Sequence, residues 1–322
     1  MIFFSTFSAL LEVQNTIRYP FGVSQGLKVK SVNPLNIRYM SLSVSTTSVM
    51  EHVVSENGAP PVVLLHGVED DFGGVIIDVK NSMDYEVFAA SLRASISKWR
   101  EEGKRGVWIK FPIELVNLVQ AAVKEGFWFH HAEPNYLMLV YWIPDTPNTI
   151  PIYASHRVGI GAFVINDKRE ILVLQEKTGH FRGTGVWKFP TGVVDEGEDI
   201  CKAAVREVKE ETGIDAEFVE VLAFRQSHQS FFGKSDLFFV CMLKPLSFDI
   251  QMQDVEIEAA QWMPIKEYVA QPFVQNHSMA KYLADLCIKK IDKGYVGFSP
   301  VPTTSGFSDK PFDLYLNRRD MN

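Results

Sequence analysis

The sequence predicts a mixed α/β (α+β) protein with two domains. Short runs of β-branched and aromatic residues, typical of strands, alternate with stretches whose apolar residues recur at helical spacing. The chain has 322 residues, which is enough for two modest domains with separate hydrophobic cores. We place the first domain at residues 70–148 and the second at residues 155–292. Residues 1–60 then form an extension, and residues 293–322 form a C-terminal tail.

The first fifty residues differ in composition from the rest of the chain. They contain a single acidic residue, Glu12, and they are rich in serine and threonine. This composition is typical of an organelle transit peptide, and it also fits a disordered extension. We expect a cytoplasmic location if these residues are a disordered extension, and the chloroplast or the mitochondrion as the alternative if residues 1–50 are a transit peptide.

Residues 70–148 contain signals for a β-α-β-α-β-β series. Pro112 suits the first turn of a helix, and Gly103 and Gly126 are good C-terminal stops. The predicted elements are a strand at 74–78, an amphipathic helix at 84–102, the strand GVWIKF, a helix at 112–126, and the strands FWFHHA and YLMLVYWI. This order of elements resembles half of an acetyltransferase fold.

The pair His130 and His131 lies on a predicted strand of this domain. Adjacent strand residues point to opposite faces of a sheet. We therefore expect the two rings to point apart, which favours a structural role over chelation of one ion. Three nearby tryptophans, Trp108, Trp128 and Trp142, are interpreted as core or interface residues.

Four strand signals and one helix define residues 155–292. The strand signals are HRVGIGAFVIN, REILVLQEK, AEFVEVLAFRQSH and DLFFVCMLKPL. Between the second and third strands lies the segment GVVDEGEDICKAAVREVKEETGI, residues 192–214. Asp199 is a suitable N-cap for a helix that runs to Thr212, and Gly213 suits its C-terminal end.

This helix would carry three glutamates on one face. Glu207, Glu210 and Glu211 stand at i, i+3 and i+4, beside an apolar arc formed by Cys201, Ala204, Val205 and Val208. We therefore expect the apolar side to pack on a core and the acidic side to face a cleft. Three neighbouring carboxylates repel each other, and a hard divalent cation would remove that repulsion. The alternative is a solvated acidic surface helix.

The full spacing of this segment resembles the Nudix box at every specified position. The matching residues are Gly192, Glu198, Arg206, Glu207, Val208, Glu210, Glu211, Gly213 and Ile214. The resemblance implies a Nudix α/β/α sandwich over residues 155–292, preceded by a small α/β pre-Nudix domain. Further stretches resemble a plant group that acts on ADP-ribose and NADH. That group is also similar to the antisense fibroblast growth factor Nudix protein.

The resemblance implies roles for the residues of the box. Glu207 and Glu211 would bind Mg²⁺ or Mn²⁺, and Glu210 would serve as a further ligand or as the base that activates water. Arg206 would brace the loop through Glu198. The backbone near Gly192 would line the metal site.

Which carboxylate acts as the base stays open, because loop acids outside the box serve this role in some members of the family. Asp254, Glu256 and Glu258 are candidates, and the alternative for all three is a solvated loop.

The segment FRQSHQSFFGKSD is the candidate substrate loop. Arg225 or Lys234 would bind phosphate, and Phe231 or Phe232 would stack on an adenine ring. His228 would bind a phosphate or a ribose hydroxyl, or it is simply hydrogen-bonded within the loop. Many ADP-ribose hydrolases of the family carry a proline where this chain has Ser230, so substrate identity does not follow from the box.

Three functions are therefore compatible with the sequence. The first is a Mg²⁺-dependent pyrophosphatase that converts ADP-ribose or NADH to AMP and a second phosphate product. The second is the same chemistry on a nucleoside triphosphate, a capped RNA or a prenyl diphosphate. The third is a regulator that binds such ligands without turnover. For the pre-Nudix domain we hypothesise a role in homodimerisation and in shaping the mouth of the cleft.

Charge and cysteine usage narrow the classes of partner. The net charge of -7 argues against general nucleic-acid binding, which needs a basic surface. The three cysteines, Cys201, Cys241 and Cys287, lack metal-ligand spacing and fit free thiols in a reducing compartment. No apolar run approaches the roughly eighteen residues that a membrane helix needs. We expect a small-molecule substrate and no membrane span.

Overall fold

The computed structural model describes residues 62–305 and 308–317, with side chains at residues 62–304 and 311–317. The chain divides into two compact units, with the boundary between Tyr153 and Ala154. The predicted extension at residues 1–60 lies outside the described residues. No helix among the described residues is long and apolar enough to cross a membrane.

The first unit is a five-stranded sheet with helices packed on one face. Its strands are β1 (Val68–Glu69), β2 (Val75–Asp78), β3 (Gly106–Pro112), β4 (Trp128–Glu133) and β5 (Tyr136–Trp142), in the order β1-β2-β3-β5-β4. β2 and β3 are parallel, and the other pairs are antiparallel. Helix α1 (Tyr85–Glu101) begins at Asp84, whose carboxylate accepts hydrogen bonds from the amides of Glu86 and Val87. The expected strands and this helix are confirmed.

The second predicted helix differs from the expectation. Residues Ile113–Leu118 form a 3₁₀ helix, with non-helical backbone angles at Leu115, and only Val119–Lys124 form α2. Leu115 and Leu118 are both buried. Both leucines belong to the apolar core of this unit.

The expectation that His130 and His131 point apart is wrong. The register between β4 and β5 shifts between Phe129 and His131, so the alternation of faces is interrupted there. The two Nδ1 atoms are 2.7 Å apart. His130 Nε2 contacts the carbonyl oxygen of Pro151 at 2.8 Å, and the ring of His131 stacks on Tyr153. The pair therefore fastens the segment that follows β5 to the sheet.

The second unit is a sandwich of sheets between two helical layers. Its strands and helices are β6 (His156–Val164), β7 (Glu170–Glu176), β8 (Thr191–Val193), α3 (Ile200–Thr212), β9 (Ala216–Ser227), β10 (Ser235–Pro245), β11 (Ile257–Pro264), α4 (Ile265–Ala270), α5 (Pro272–Asn276) and α6 (Ser278–Lys293). One sheet has the order β8-β6-β10-β9, and β11 pairs with β7 in a second sheet. The expected strands and the expected acidic helix are confirmed.

Alternation along β6 divides the core of this unit into two layers. Ile160, Ala162 and Val164 belong to the apolar cluster that contains residues of α3. Phe163 belongs to the cluster that contains residues of α4, α5 and α6. Helix α3 therefore packs on the face of the sheet opposite to α4, α5 and α6, and it contacts β8.

The segment expected only as a C-terminal tail contains a hairpin. Its strands are β12 (Ser299–Ser305) and β13 (Ser308–Leu316). Just before β12, Phe298 exchanges backbone hydrogen bonds of 2.8 and 2.9 Å with Val221 of β9. Tyr315 packs against the apolar cluster that includes α3.

Candidate active site

An acidic cleft lies between α3, β8 and the loop that precedes β11. Five carboxylate residues line it, namely Glu176, Glu207, Glu210, Glu211 and Glu256. Two cationic residues, Arg206 and Lys188, line the same cleft. The three helix glutamates predicted from their spacing therefore reach a common cavity, together with one acid from the loop.

Gly192 lets helix α3 approach β8 closely. A Cβ atom on Gly192 would lie 1.8 Å from Cδ of Glu207 and 2.0 Å from its Oε1. Real side-chain carbons do not approach this closely, so any other residue would displace the Glu207 carboxylate. Glycine is required at position 192 because of this close approach to the Glu207 carboxylate. Its backbone φ is not positive, so the backbone conformation does not itself require glycine.

Arg206 holds the loop and the helix together. Its Nε and NH2 atoms donate to both oxygens of Glu198 at 2.8 Å each, and NH2 also donates to the carbonyl of Val193 at 2.9 Å. Such two-pronged pairing fixes the relative orientation of the two groups. Glu198 also accepts a bond of 3.0 Å from the amide of Asp195. The hydrogen bond from Arg206 holds the pKa of Glu198 below its usual value, although partial burial opposes this.

The same guanidinium contacts two of the three helix glutamates. NH1 of Arg206 donates to Glu207 at 2.8 Å and to Glu210 at 3.2 Å. Burial raises the pKa of Glu207 to about 7, with Arg206 lowering it and the charge of Glu210 raising it further. The side chain of Glu210 is 57% exposed, so this carboxylate is the one of the three that solvent reaches freely.

Glu211 lies deeper and has a different partner. Its Oε2 accepts a bond of 3.0 Å from the amide of Thr191, the first residue of β8. Burial raises the pKa of Glu211 to about 8; Lys188 opposes this rise, and the charges of Glu207 and Glu256 add to it. Glu207 and Glu211 are only 9% and 7% exposed.

The acidic side of α3 faces a cleft, as expected, but the expected make-up of its buried face is wrong in part. The buried face of the helix contains Glu207 and Glu211 beside Ala204 and Val208. Cys201 and Val205, which were expected in the apolar arc, are only half-buried. The buried face differs from the expected apolar arc because β8 and Lys188 supply polar partners for Glu211. Helical spacing within the sequence contains no information about those partners. Asp199 is the N-cap residue of α3, as expected, but its carboxylate contacts Lys202 at 2.5 Å and makes no capping hydrogen bond.

The donor set of the cleft fits a hard divalent cation. Buried carboxylates are costly to ionise, and a bound cation offsets that cost more strongly than a single arginine. Carboxylate and carbonyl oxygens are the ligands that Mg²⁺ and Mn²⁺ prefer. Within residues 62–305 and 308–317, no three His, Cys, Asp or Glu groups are close enough together to meet the geometry of a metal site. The reason is that Arg206 binds the carboxylates of Glu207 and Glu210, whereas the amide of Thr191 binds the carboxylate of Glu211.

The loop before β11 supplies one of the three acids considered as a base. Glu256 lines the cleft, and its charge acts on Glu211. Asp254 and Glu258 are exposed. The loop is fixed to the end of β7, because the amide of Lys177 donates to the carbonyl of Glu256 at 2.8 Å.

The predicted substrate loop has mainly local contacts. Arg225 pairs with the buried Asp236 at 3.1 Å, and His228 contacts Ser235 at 2.9 Å. Lys234 donates to the carbonyl of Ala154 at 2.9 Å. These three side chains lie outside the lining of the acidic cleft. Their role in substrate binding stays a prediction.

The two aromatic residues of this loop are partly or fully exposed. The ring of Phe231 lies 4.7 Å from the guanidinium carbon of Arg157 and is 42% exposed. Phe232 is 89% exposed. Neither ring lines the acidic cleft, so stacking on a base also stays a prediction.

Three buried polar residues of the cleft, Glu176, Lys188 and Thr191, were not predicted from the sequence. Lys188 is 2% exposed and pairs with Glu176, and it also donates to the hydroxyl of Thr191 at 2.8 Å. Lys188 stands between Trp187 and Phe189 in the sequence. A lone charge between two aromatic residues was the available signal for a buried, paired lysine. Glu176 and Thr191 had no comparable signal.

Comparison with known proteins places both units in one family. A family model described as "Nudix hydrolase domain" matches residues 65–143, and one described as "NUDIX domain" matches residues 155–286. Nudix hydrolase 2 of Arabidopsis thaliana is 56% identical over 283 residues, which cover 88% of this chain and 99% of the relative. The human protein "Nucleoside diphosphate-linked moiety X motif 6" is 36% identical over 260 residues, which cover 74% of this chain and 81% of that protein. Among solved structures, a MutT NUDIX hydrolase from Burkholderia pseudomallei is 27% identical to this chain, with a TM-score of 0.33. The match covers 39% of this chain and 95% of the Burkholderia chain.

Proposed function

The chain belongs to the Nudix hydrolase family, and from this premise we propose that it is a Mg²⁺- or Mn²⁺-dependent pyrophosphatase for ADP-ribose or NADH. The products would be AMP and either ribose 5-phosphate or the nicotinamide nucleotide. The observation that carries the proposal is the acidic cleft, in which three helix glutamates and one loop glutamate surround a common cavity.

The residues of the cleft divide into three tasks. Glu207, Glu210 and Glu211, with the backbone at Gly192, would hold the cation. When bound, the cation would neutralise the diphosphate and acidify a water molecule. Arg206 holds the loop that precedes α3 in a fixed position relative to the helix, through its hydrogen bonds to Glu198 and to the carbonyl of Val193. Glu210 and Glu256 are the two candidates for accepting a proton from the attacking water, because both line the cleft and Glu210 is exposed.

The choice of substrate is supported by the sequence. The stretches SLRASISKWREEGKRGVWIKFP and AAVKEGFWFHHAEPNYLMLVYWIP resemble a plant group that acts on ADP-ribose and NADH. Retention of all the acidic positions of the box favours turnover over binding alone, because a regulator has no need of a complete metal site.

The test is hydrolysis of a panel of diphosphates in the presence of Mg²⁺ or Mn²⁺. The panel contains ADP-ribose, NADH, a nucleoside triphosphate, a capped RNA and a prenyl diphosphate. We expect AMP to be released fastest from ADP-ribose or NADH. Faster turnover of another member would reject the substrate, and no turnover of any member would reject the hydrolase function.

The variant Glu211→Gln tests the assigned site. We expect its kcat to fall by more than about 100-fold, since loss of even an outer partner of a metal ligand typically costs 10–100-fold. An amide oxygen can still accept the hydrogen bond from Thr191, so the fold should persist. Glu217→Gln, at an exposed position of β9, is the matched control and should retain full activity. Equal activity of the two variants would reject the site.

A further inference from the structure

We propose that Lys188, Glu176 and Thr191 form a positioning group that aims the Glu211 carboxylate into the cleft. The proposal rests on the proposed function, because it assigns to these residues a role in holding the metal ligand. None of the three residues belongs to the Nudix box, which begins at Gly192.

The first observation is a buried ion pair beneath the cleft. Lys188 Nζ lies 2.7 Å from Glu176 Oε1, and the two side chains are 2% and 4% exposed. The other oxygen of Glu176 accepts a bond of 3.3 Å from the amide of Phe181. Burial of two charges is costly unless their geometry is good and their remaining hydrogen-bonding capacity is used. A pair kept at this depth beside a reactive cleft points to a task beyond stability.

The second observation is that the pair is connected to Glu211. Lys188 Nζ donates to Thr191 Oγ1 at 2.8 Å, and the amide of Thr191 donates to Glu211 Oε2 at 3.0 Å. Thr191 therefore binds the lysine with its side chain and the metal-ligand glutamate with its backbone. A shift of Thr191 would move the Glu211 carboxylate by a similar amount.

The third observation is that the group spans separate elements. Lys188 exchanges backbone hydrogen bonds of 2.9 and 3.0 Å with Leu174 of β7. Thr191 pairs with Gly161 of β6. The short strand β8 has only three residues, so its backbone pairing alone gives it few fixed points. The side-chain bond from Lys188 adds an anchor at the residue that holds Glu211.

Lys188 is a positioning residue in this proposal, and direct contact with substrate is the competing role. Lys188 lines the cleft, but its side chain is only 2% exposed and its ammonium group is directed to Glu176 and Thr191. A lysine that bound a substrate phosphate would present its ammonium group to the open cavity. The third possibility is that the ion pair only stabilises the fold.

The experiment uses Thr191→Val, Thr191→Ser and the double variant Lys188→Met/Glu176→Gln in the full chain. Valine keeps the shape of threonine without its hydroxyl, serine keeps the hydroxyl, and the double variant removes both charges together. Dissociation constants for Mn²⁺ are measured without substrate by calorimetry or electron paramagnetic resonance, and kcat and KM are measured separately. Circular dichroism and urea unfolding verify the fold.

We expect Thr191→Val and the double variant to raise the Mn²⁺ dissociation constant about 10-fold, within the usual range for outer-shell partners. kcat should fall with little change in KM, and Thr191→Ser should bind Mn²⁺ like the wild type. A wild-type dissociation constant in Thr191→Val would overturn the proposal, even if that variant were less stable. A raised KM with unchanged Mn²⁺ affinity in the double variant would also overturn it, in favour of phosphate binding by Lys188.

Failure of this proposal is distinguishable from failure of the proposed function. Mn²⁺ affinity is measured in the absence of any diphosphate, so it stays informative if no member of the substrate panel is hydrolysed. Absence of Mn²⁺ binding by the wild type would overturn the positioning role directly.

Discussion

The cleft of the second unit and the histidine pair of the first unit both bring titratable side chains together, but by different means. In the cleft, the spacing of Glu207, Glu210 and Glu211 along α3 places them on neighbouring positions of one helix. In the first unit, a register shift in β4 brings His130 and His131 together. Regular geometry can be inferred from sequence spacing, whereas a bulge depends on the partner strand.

The partners of the two clusters also differ. The cleft glutamates are held by groups from other parts of the fold, such as the Arg206 fork and the amide of Thr191. The two histidines contact each other and residues of the following segment, Pro151 and Tyr153. The cleft therefore has carboxylates directed into a cavity, and the histidine pair has its ring nitrogens used within the fold. This contrast favours a chemical role for the first cluster and a structural role for the second.

Among the changes that test this comparison, the largest effect is expected from Gly192→Ala, which alters the closest contact in the cleft. The new methyl group would overlap the Glu207 carboxylate, whose Cδ lies 1.8 Å from the position of the added Cβ. A misplacement of about 1 Å can cost about 100-fold in rate, and we expect a fall in kcat of that order. Steady-state kinetics with ADP-ribose and Mg²⁺ measure it.

Gly106→Ala is the matched control for this substitution. Its added Cβ would meet its nearest neighbour, the side chain of Ile150, at 3.5 Å, which is an ordinary contact. We expect wild-type kinetics from this variant. If Gly192→Ala is as active as Gly106→Ala, the tight approach of β8 to α3 has no part in catalysis.

The same contrast explains how much of the site could be predicted. The glutamates, Arg206 and the glycine were predictable because the box fixes both their types and their spacing. The partner of Arg206 at Val193 and the amide of Thr191 could not be predicted, because they are backbone groups whose direction depends on the packing of β8. The burial of Glu211 was missed for the same reason, since a helical wheel records no neighbouring strand.

A smaller effect is expected from Arg206→Lys, which tests the bracing of the loop. Lysine retains the charge but cannot make the two-pronged contact with Glu198, at 2.8 Å for each nitrogen, and the bond to Val193 at the same time. We expect kcat to fall about 10-fold, by analogy with outer-shell partners of metal ligands. Hydrogen bonds to charged groups contribute about 1.5–3 kcal/mol, and partial exposure reduces this, so the free energy of unfolding should fall by roughly 1 kcal/mol.

Arg93→Lys provides the comparison for the bracing arginine. Arg93 contacts Glu125 through a single nitrogen at 2.8 Å, and its side chain is 59% exposed. Lysine can replace such a contact, so activity and unfolding free energy should both stay at the wild-type level. A loss of activity that was equal in the two variants would mean that the fork of Arg206 has no special role.

The smallest effect is expected from the histidine pair, and it appears as a pH dependence of stability. Burial and the neighbouring His130 lower the pKa of His131 below its usual value of 6.5, with Glu133 opposing. The unfolded chain then binds a proton more readily than the folded one as the pH falls through 6.5. Stability is therefore lost toward acid pH. Urea unfolding followed from about pH 7.5 to about pH 5.5 should show a smaller loss of unfolding free energy in His131→Gln than in the wild type.

His66→Gln, at an exposed position of the same unit, is the control and should show the same loss of unfolding free energy as the wild type. An identical pH profile in all three proteins would mean that the contact between the two rings does not disfavour protonation, which would contradict the lowered pKa of His131.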